Sequence, residues 1–432
     1  QWLLEPESPY YNYQILLECA GSNTDRIRRA LGQALRANPQ LMAKFGVDST
    51  GRFTQTFPIS AIDMDEISIH EVASAQEARK ICWMKAAVPF NLEEGPAIAV
   101  DEIRINGYST WFVLTMNEIL IDGWGAMKFM EQLISLFECR NMDDQKIEVK
   151  TAMTSALEYF QHLSKPEEIS AEAREFWSKS LDGVKSCFPL RDTLNSSCDP
   201  YAASVIEVSL DDEATAEIRS TAHALSTSPF AVFVAAYSLA LAAVSDQHDF
   251  VVGAPVAGRN DEYEIGVPTL MLNMIAIRTR IDVEKKISDT VRSMISNVTE
   301  AVSFGDSVFS KVVSEFADHT NEDPLFSTMV NMLTYPSLEF WDGDRSLHLT
   351  ELNTGFTKYD ASLYIQRHGE DYTLQLAYKV AYVTPERANK VLALTAWFLT
   401  SDWLSGKTTV ANAIKTALND CDTSQITMLK SY

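Results

Sequence analysis

The sequence predicts an α/β protein built as two lobes. Length is the first reason: 432 residues exceed what one compact core usually holds, and two domains of roughly 150–250 residues fit better. Alternation is the second, since helical and strand patterns succeed one another throughout, with no repeat and no low-complexity tract, as in α/β layers. The third is a break. A polar stretch from Ser164 to Glu168 leads to Glu175–Leu181, and the segment from there to Pro200 is rich in turn formers. This places the division within ~10 residues of Glu175, giving lobes 1–175 and 176–432.

Each element has its own signal. Asp25 to Ala37 carries Ile27, Leu31 and Leu35 at helical spacing, with Asp25 favourable at the positive N-terminus. Trp111 to Met116 is an apolar strand-type run, and Met127, Met130, Ile134 and Phe137 predict a helix with one buried stripe after it. Between them lies Thr115–Trp124, a loop that can present side chains to a cavity. In the second half, Ser226–Pro229 predicts a capped helix start with proline in the first turn, and the helix runs to Val244. Phe250–Pro255 and Met271–Ile281 read as strands.

Composition excludes several functions. Apolar residues make up 46% of the chain, enough for buried cores and too many for disorder. The apolar run Phe230–Val244 is interrupted by Tyr237 and Ser238 and is shorter than the ~20 residues of a membrane span. A net charge of −23 repels nucleic acid phosphates and disfavours long-range attraction of an acidic partner. The six cysteines show no metal spacing and read as reduced thiols of a cytoplasmic protein. None of the seven histidines pairs with another at ligand spacing, and no metal is expected. No serine-hydrolase elbow, Walker loop or dinucleotide fingerprint occurs.

Thr115-Met116-Asn117-Glu118-Ile119-Leu120-Ile121-Asp122-Gly123-Trp124 resembles the H-H-x-x-x-D-G signature of the condensation domains of non-ribosomal peptide synthetases, with Asn117 and Glu118 at the two histidine positions. Other blocks follow in family order. Trp2–Asn12 and Pro89–Pro96 resemble the first two, and Phe176–Gly183 the Y-W-x-x-x-L-x-G stretch. Val251–Arg259 is similar to V-G-x-P-V-A-G-R, Asp323–Leu333 to the P-L-F block, and Lys358–Leu363 to K-F-D-L-T-L. Ala99 departs from the family arginine, and Phe304–Phe309 is a poor copy of H-Q-D-V-P-F. Neither the plant-type D-F-G-W-G nor the epimerase E-G-H-G-R-E motif is present.

The resemblance implies two chloramphenicol-acetyltransferase-like lobes in a V-shaped pseudo-dimer around a central tunnel. It implies an acyltransferase joining a donor acyl or peptidyl thioester to an acceptor amine. Both would ride on the phosphopantetheine of carrier proteins, beside an adenylation domain, and the domain itself would bind no cofactor. The excised domain is expected to be monomeric, cytoplasmic and free of nucleic acid or membrane. In the family the second histidine is read as the general base or as the group orienting the amine. Glu118 therefore stands as a base or as a polar lining residue, next to Asn117. The resemblance pairs Asp122, followed by Gly123, with Arg259, and puts Asn331 and Trp124 at the tunnel. The alternative is a silent or diverted domain that docks carriers or carries out cyclisation, elimination or hydrolysis.

Overall fold

Period-two alternation in the strands and apolar stripes on the helices sort the chain into two main sheets with helices against them. The computed structural model describes residues 8–20, 23–57, 62–107, 109–139, 146, 149–150, 153, 158–159, 169–185, 187–192, 197–259, 262–316, 324–333, 338–342, 345–352, 354–400 and 407–429. Of the sequence features named for the fold and site, Trp2–Glu7, Ser164–Glu168 and Asp323 lie outside the described residues, as do two of the seven histidines, His162 and His319.

The first half contributes β1 (Asn12–Ala20), α1 (Thr24–Ala37), β2 (Lys44–Val47), β3 (Phe53–Thr56), β4 (Ser68–Val72), α2 (Ala75–Ala86), β5 (Ile98–Ile105), β6 (Ser109–Asn117) and α3 (Gly123–Glu138). The second contributes α4 (Ala171–Leu181), β7 (Ala203–Ser209), α5 (Asp212–Ala224), α6 (Pro229–Ser245), β8 (Asp249–Val256), β9 (Asn273–Arg280), α7 (Ile287–Ser303) and α8 (Phe309–Phe316). After these come β10 (Thr328–Leu333), β11 (Leu338–Asp342), β12 (Arg345–Leu352), β13 (Ala361–His368), β14 (Asp371–Lys379), α9 (Pro385–Thr400), α10 (Val410–Asp420) and β15 (Thr427–Leu429).

The sheets run β11-β12-β1-β6-β5-β4 and β15-β7-β14-β13-β10-β8-β9, beside a small β2-β3 ribbon. One pattern occurs in both. In β1-β6-β5-β4 and in β7-β14-β13-β10, a single strand lies antiparallel to the second strand of a hairpin, whose first strand has a parallel neighbour. A helix follows the single strand (α1, α5) and another follows the hairpin (α3, α9). The exchange is the β11-β12 pair, which comes from the second half yet joins the first sheet through β12 against β1, Gln14 opposite Leu352 and Ile15 opposite Glu351.

The first core joins Ile15, Leu17, Leu114 and Met116 to Ile27 and Leu31 of α1 and to Phe129 and Leu133 of α3. Each such side chain contributes about 1.5–3 kcal/mol through burial. The α3 stripe is rotated from the sequence expectation. Phe129, Met130, Leu133, Leu136 and Phe137 are buried, whereas Met127 and Ile134 are only partly so, because the second half covers the start of this helix. The second core is organised by α6, which is apolar on every side and buried from Ala231 to Ala242. Its Tyr237 hydroxyl lies 2.6 Å from Thr328 Oγ1, so the polar interruptions of that run are satisfied inside the core. Ser228 holds the N-cap position with Pro229 after it, but its hydroxyl makes no capping bond. Helix α4 spans the expected division at 175/176, and its Ala173, Trp177 and Leu181 join the second core. Among the described residues, no single helix is long and apolar enough to cross a membrane.

Candidate active site

Alternation along the second sheet creates the floor of a cavity. Val330 of β10, Leu363 and Ile365 of β13, and Leu374 and Leu376 of β14 point into the second core. Their neighbours Met329, Asn331, Ser362, Tyr364, Gln366 and Gln375 line a space of about 660 Å³. The opposite wall comes from the first sheet and the signature loop: Tyr11, Tyr13, Asn117, Glu118, Asp122 and Glu351. The volume lies within the ~300–1,000 Å³ range of small-molecule sites, and a few polar groups converge on it.

Asp122 locks the loop. As N-cap of α3 its carboxylate accepts the Gly125 N–H at 2.7 Å. It also accepts the Met271 and Leu272 N–H groups at 2.8 and 2.9 Å and a bidentate pair from Arg259 at 2.8 and 3.0 Å. Both charged side chains are only 3% exposed, and Arg259 Nη2 also donates to the Thr269 carbonyl at 2.9 Å. Two glycines permit this docking. A Cβ on Gly125 would come within 2.7 Å of the Thr269 oxygen. At Gly258, which has φ +59°, a Cβ would sit 2.0 Å from the Met271 oxygen. The structure thus brings Asp122, Gly123 and Arg259 together across the two halves.

The remaining expected site residues have different settings. The buried Asn117 accepts the Ile119 N–H on Oδ1 at 3.0 Å, which makes it the residue that shapes the turn. Glu118 opens onto the cavity with 44% of its side chain exposed, and Lys358 Nζ stands 3.5 Å from its Oε2. Asn331 lines the cavity. Trp124, expected at the tunnel, is not among the described residues that line it. As the second residue of α3 it faces the second half, where its indole N–H donates to the Ile265 carbonyl at 3.0 Å.

Sequence reasoning passed over three cavity groups. Lys358 belongs to the K-x-D block and is held there by its neighbour Asp360, which is buried and bidentate to Arg191 at 2.7 and 3.2 Å. Burial works against the ammonium charge, yet Glu118, and beyond it Tyr359, Tyr11 and Tyr364, hold Lys358 above the usual lysine range. Glu351 is open to the cavity but desolvated by the protein around it. Burial lifts its carboxyl to about 7, the Tyr13 hydroxyl's hydrogen bond opposes this, and the Glu118 charge adds to it. Burial, together with Glu118 and Glu351, raises the Tyr364 phenol above its ordinary range, so it keeps its proton as a donor. The alternation Leu347, Leu349, Glu351 was the available signal for Glu351, because it puts a carboxyl at an inward position. Among the described residues no group of His, Cys, Asp and Glu is arranged to hold a metal.

Residues 2–392 match the family model described as Condensation domain. A component of the linear gramicidin synthase of Brevibacillus parabrevis is 23% identical over 384 residues, covering 84% of this chain and 7% of that protein. A component of the plipastatin synthase of Bacillus subtilis (strain 168) is 22% identical over 387 residues, covering 89% of this chain and 15% of that protein. The chain therefore spans less than a sixth of either relative. The fold is similar to the first condensation domain of the calcium-dependent antibiotic synthetase in complex with a substrate analogue. That match has a TM-score of 0.69 at 15% identity and covers 99% of this chain and 96% of that one. It is also similar to a four-domain nonribosomal peptide synthetase bound to AMP and glycine, with a TM-score of 0.77 at 14% identity, covering 95% and 32%. With these matches beside a signature loop tied down by Asp122 and Arg259, the chain belongs to the condensation-domain family of the non-ribosomal peptide synthetases.

Proposed function

We propose that this domain joins a donor acyl or peptidyl thioester to an acceptor amine, each carried on the phosphopantetheine arm of a carrier protein. The observation that supports it most is the cavity of about 660 Å³ walled by both sheets, with the signature loop at its edge. Aminolysis of a thioester gains most from holding the reactants together, which is worth ~7–11 kcal/mol in ideal cases, and a cavity of this size serves that purpose without a histidine. In this reading the domain binds no cofactor of its own, works in the cytoplasm beside an adenylation domain, and consists of two lobes that part near α4.

The test is a reconstituted assay with separately loaded donor and acceptor carriers, followed by mass spectrometry of the intact carriers. The expected result is transfer of the donor group to the acceptor amine. Survival of both thioesters, or release of a free or cyclised donor, would overturn it. The second reading, a silent or diverted domain that docks carriers, draws on one feature. Asn117 is committed to its turn and Glu118 faces Lys358, so neither histidine position presents an unengaged base.

A further inference from the structure

We propose that Glu351 is the proton-accepting carboxyl of this cavity, and that Lys358 holds Glu118 beside it as a fixed negative charge. The inference rests on the condensation reading above. Its first support is register. Leu347 and Leu349 of β12 point into the first core and are at most 1% exposed, and Glu351 is the next residue on that face, opposite Ile15 of β1. It emerges where the face leaves the core and becomes cavity wall.

The second support is the division of labour between the two cavity carboxyls. Glu118 has an ammonium 3.5 Å away, whereas the Glu351 carboxyl shares the cavity wall with Tyr13 and feels Glu118 as a like charge. Among the described residues, the remaining titratable groups facing this space are Lys358, Tyr10, Tyr11, Tyr359 and Tyr364, and Asp122 is sealed against Arg259. A desolvated carboxyl next to a second one that has its own ammonium is the arrangement that separates a proton carrier from its charged neighbour. In the reaction, the acceptor nitrogen attacks the thioester carbonyl carbon and forms the C–N bond. Its surplus proton passes to the Glu351 carboxylate, the C–S bond breaks, and the proton goes on to the departing sulfur. Glu351 ends as it began, and amide and thiol leave.

The experiment compares wild type and Glu351→Gln by rates with loaded carriers across pH and by thermal melting across pH. E351Q should lower kcat by about 10²–10⁴-fold, leave KM for the carriers near wild type, and abolish the acid limb of the pH profile. A wild-type rate in E351Q would overturn the proposal. Melting tests it without turnover. A carboxyl raised from 4.5 to about 7 in the fold adds stability below pH 4.5 that is lost as pH rises through 7. Because glutamine cannot ionise, E351Q should melt progressively above wild type across that window. A melting difference that stays flat with pH would overturn the proposal whatever the rates show. A wild type that makes no product while the melting difference moves would sink the condensation reading and leave Glu351 as a proton-exchanging group.

Discussion

Asp122 and Glu118 lie four residues apart on one loop and have opposite surroundings. Asp122 accepts hydrogen bonds from three backbone N–H groups and both terminal nitrogens of Arg259, and is almost sealed from water. Glu118 has one ammonium at 3.5 Å and looks into open space. The first carboxylate fixes where the loop sits. The second decides what a molecule in the cavity meets. Changing the second therefore costs the fold little, which is how a family signature can lose both histidines while the architecture around it persists.

The sharpest way to break this contrast is Arg259→Ala. It leaves a sealed carboxylate without its cation, and losing one partner of a buried pair costs ~3–5 kcal/mol. Denaturant unfolding should show a loss of that size, and condensation should fall with it because Gly123 and Glu118 ride on the same loop. A loss under ~1 kcal/mol would place this pair with exposed ones and erase the distinction. Gly258→Ala tests the same lock from the backbone. A left-handed conformation next to a carbonyl only 2.0 Å from the added Cβ should cost about 1–3 kcal/mol. Its activity should recover at lower temperature, if displacement of Arg259 is the whole effect.

The sequence carried what is local and lost what is distant. Helix α1 and helix α6 were legible because periodicity and a turn signal lie within one stretch of chain. The return of β12 to the first sheet was not, since Gln14 and Leu352 carry no mark of each other. The same separation made the α3 stripe hard to place, as its exposed flank is covered by residues near 270. Within the site, Asp122 and Arg259 stand 137 positions apart, and only the family resemblance joined them. Lys358 was legible as part of a block but not in its reach toward Glu118, which is a property of the folded loop.

The smallest expected effect is the most discriminating. Glu118→Gln removes a charge whose partner is partly exposed, so stability should change by only ~0–1 kcal/mol. If Glu118 acts through its charge and not by carrying the proton, turnover should fall by a comparable amount, roughly fivefold for 1 kcal/mol. The sign of the pH effect follows from the neighbouring carboxyl. The negative charge of Glu118 helps to raise Glu351, so removing it should slide the acid limb of the rate profile toward lower pH. A loss of ~10²–10⁴-fold with the acid limb gone would return the proton to Glu118. It would also mean that the ammonium at 3.5 Å withdraws when the acceptor amine arrives. A modest loss with the limb displaced downward is expected, since Asp122 already holds the loop and Glu118 has only the electrostatics of the cavity left to set.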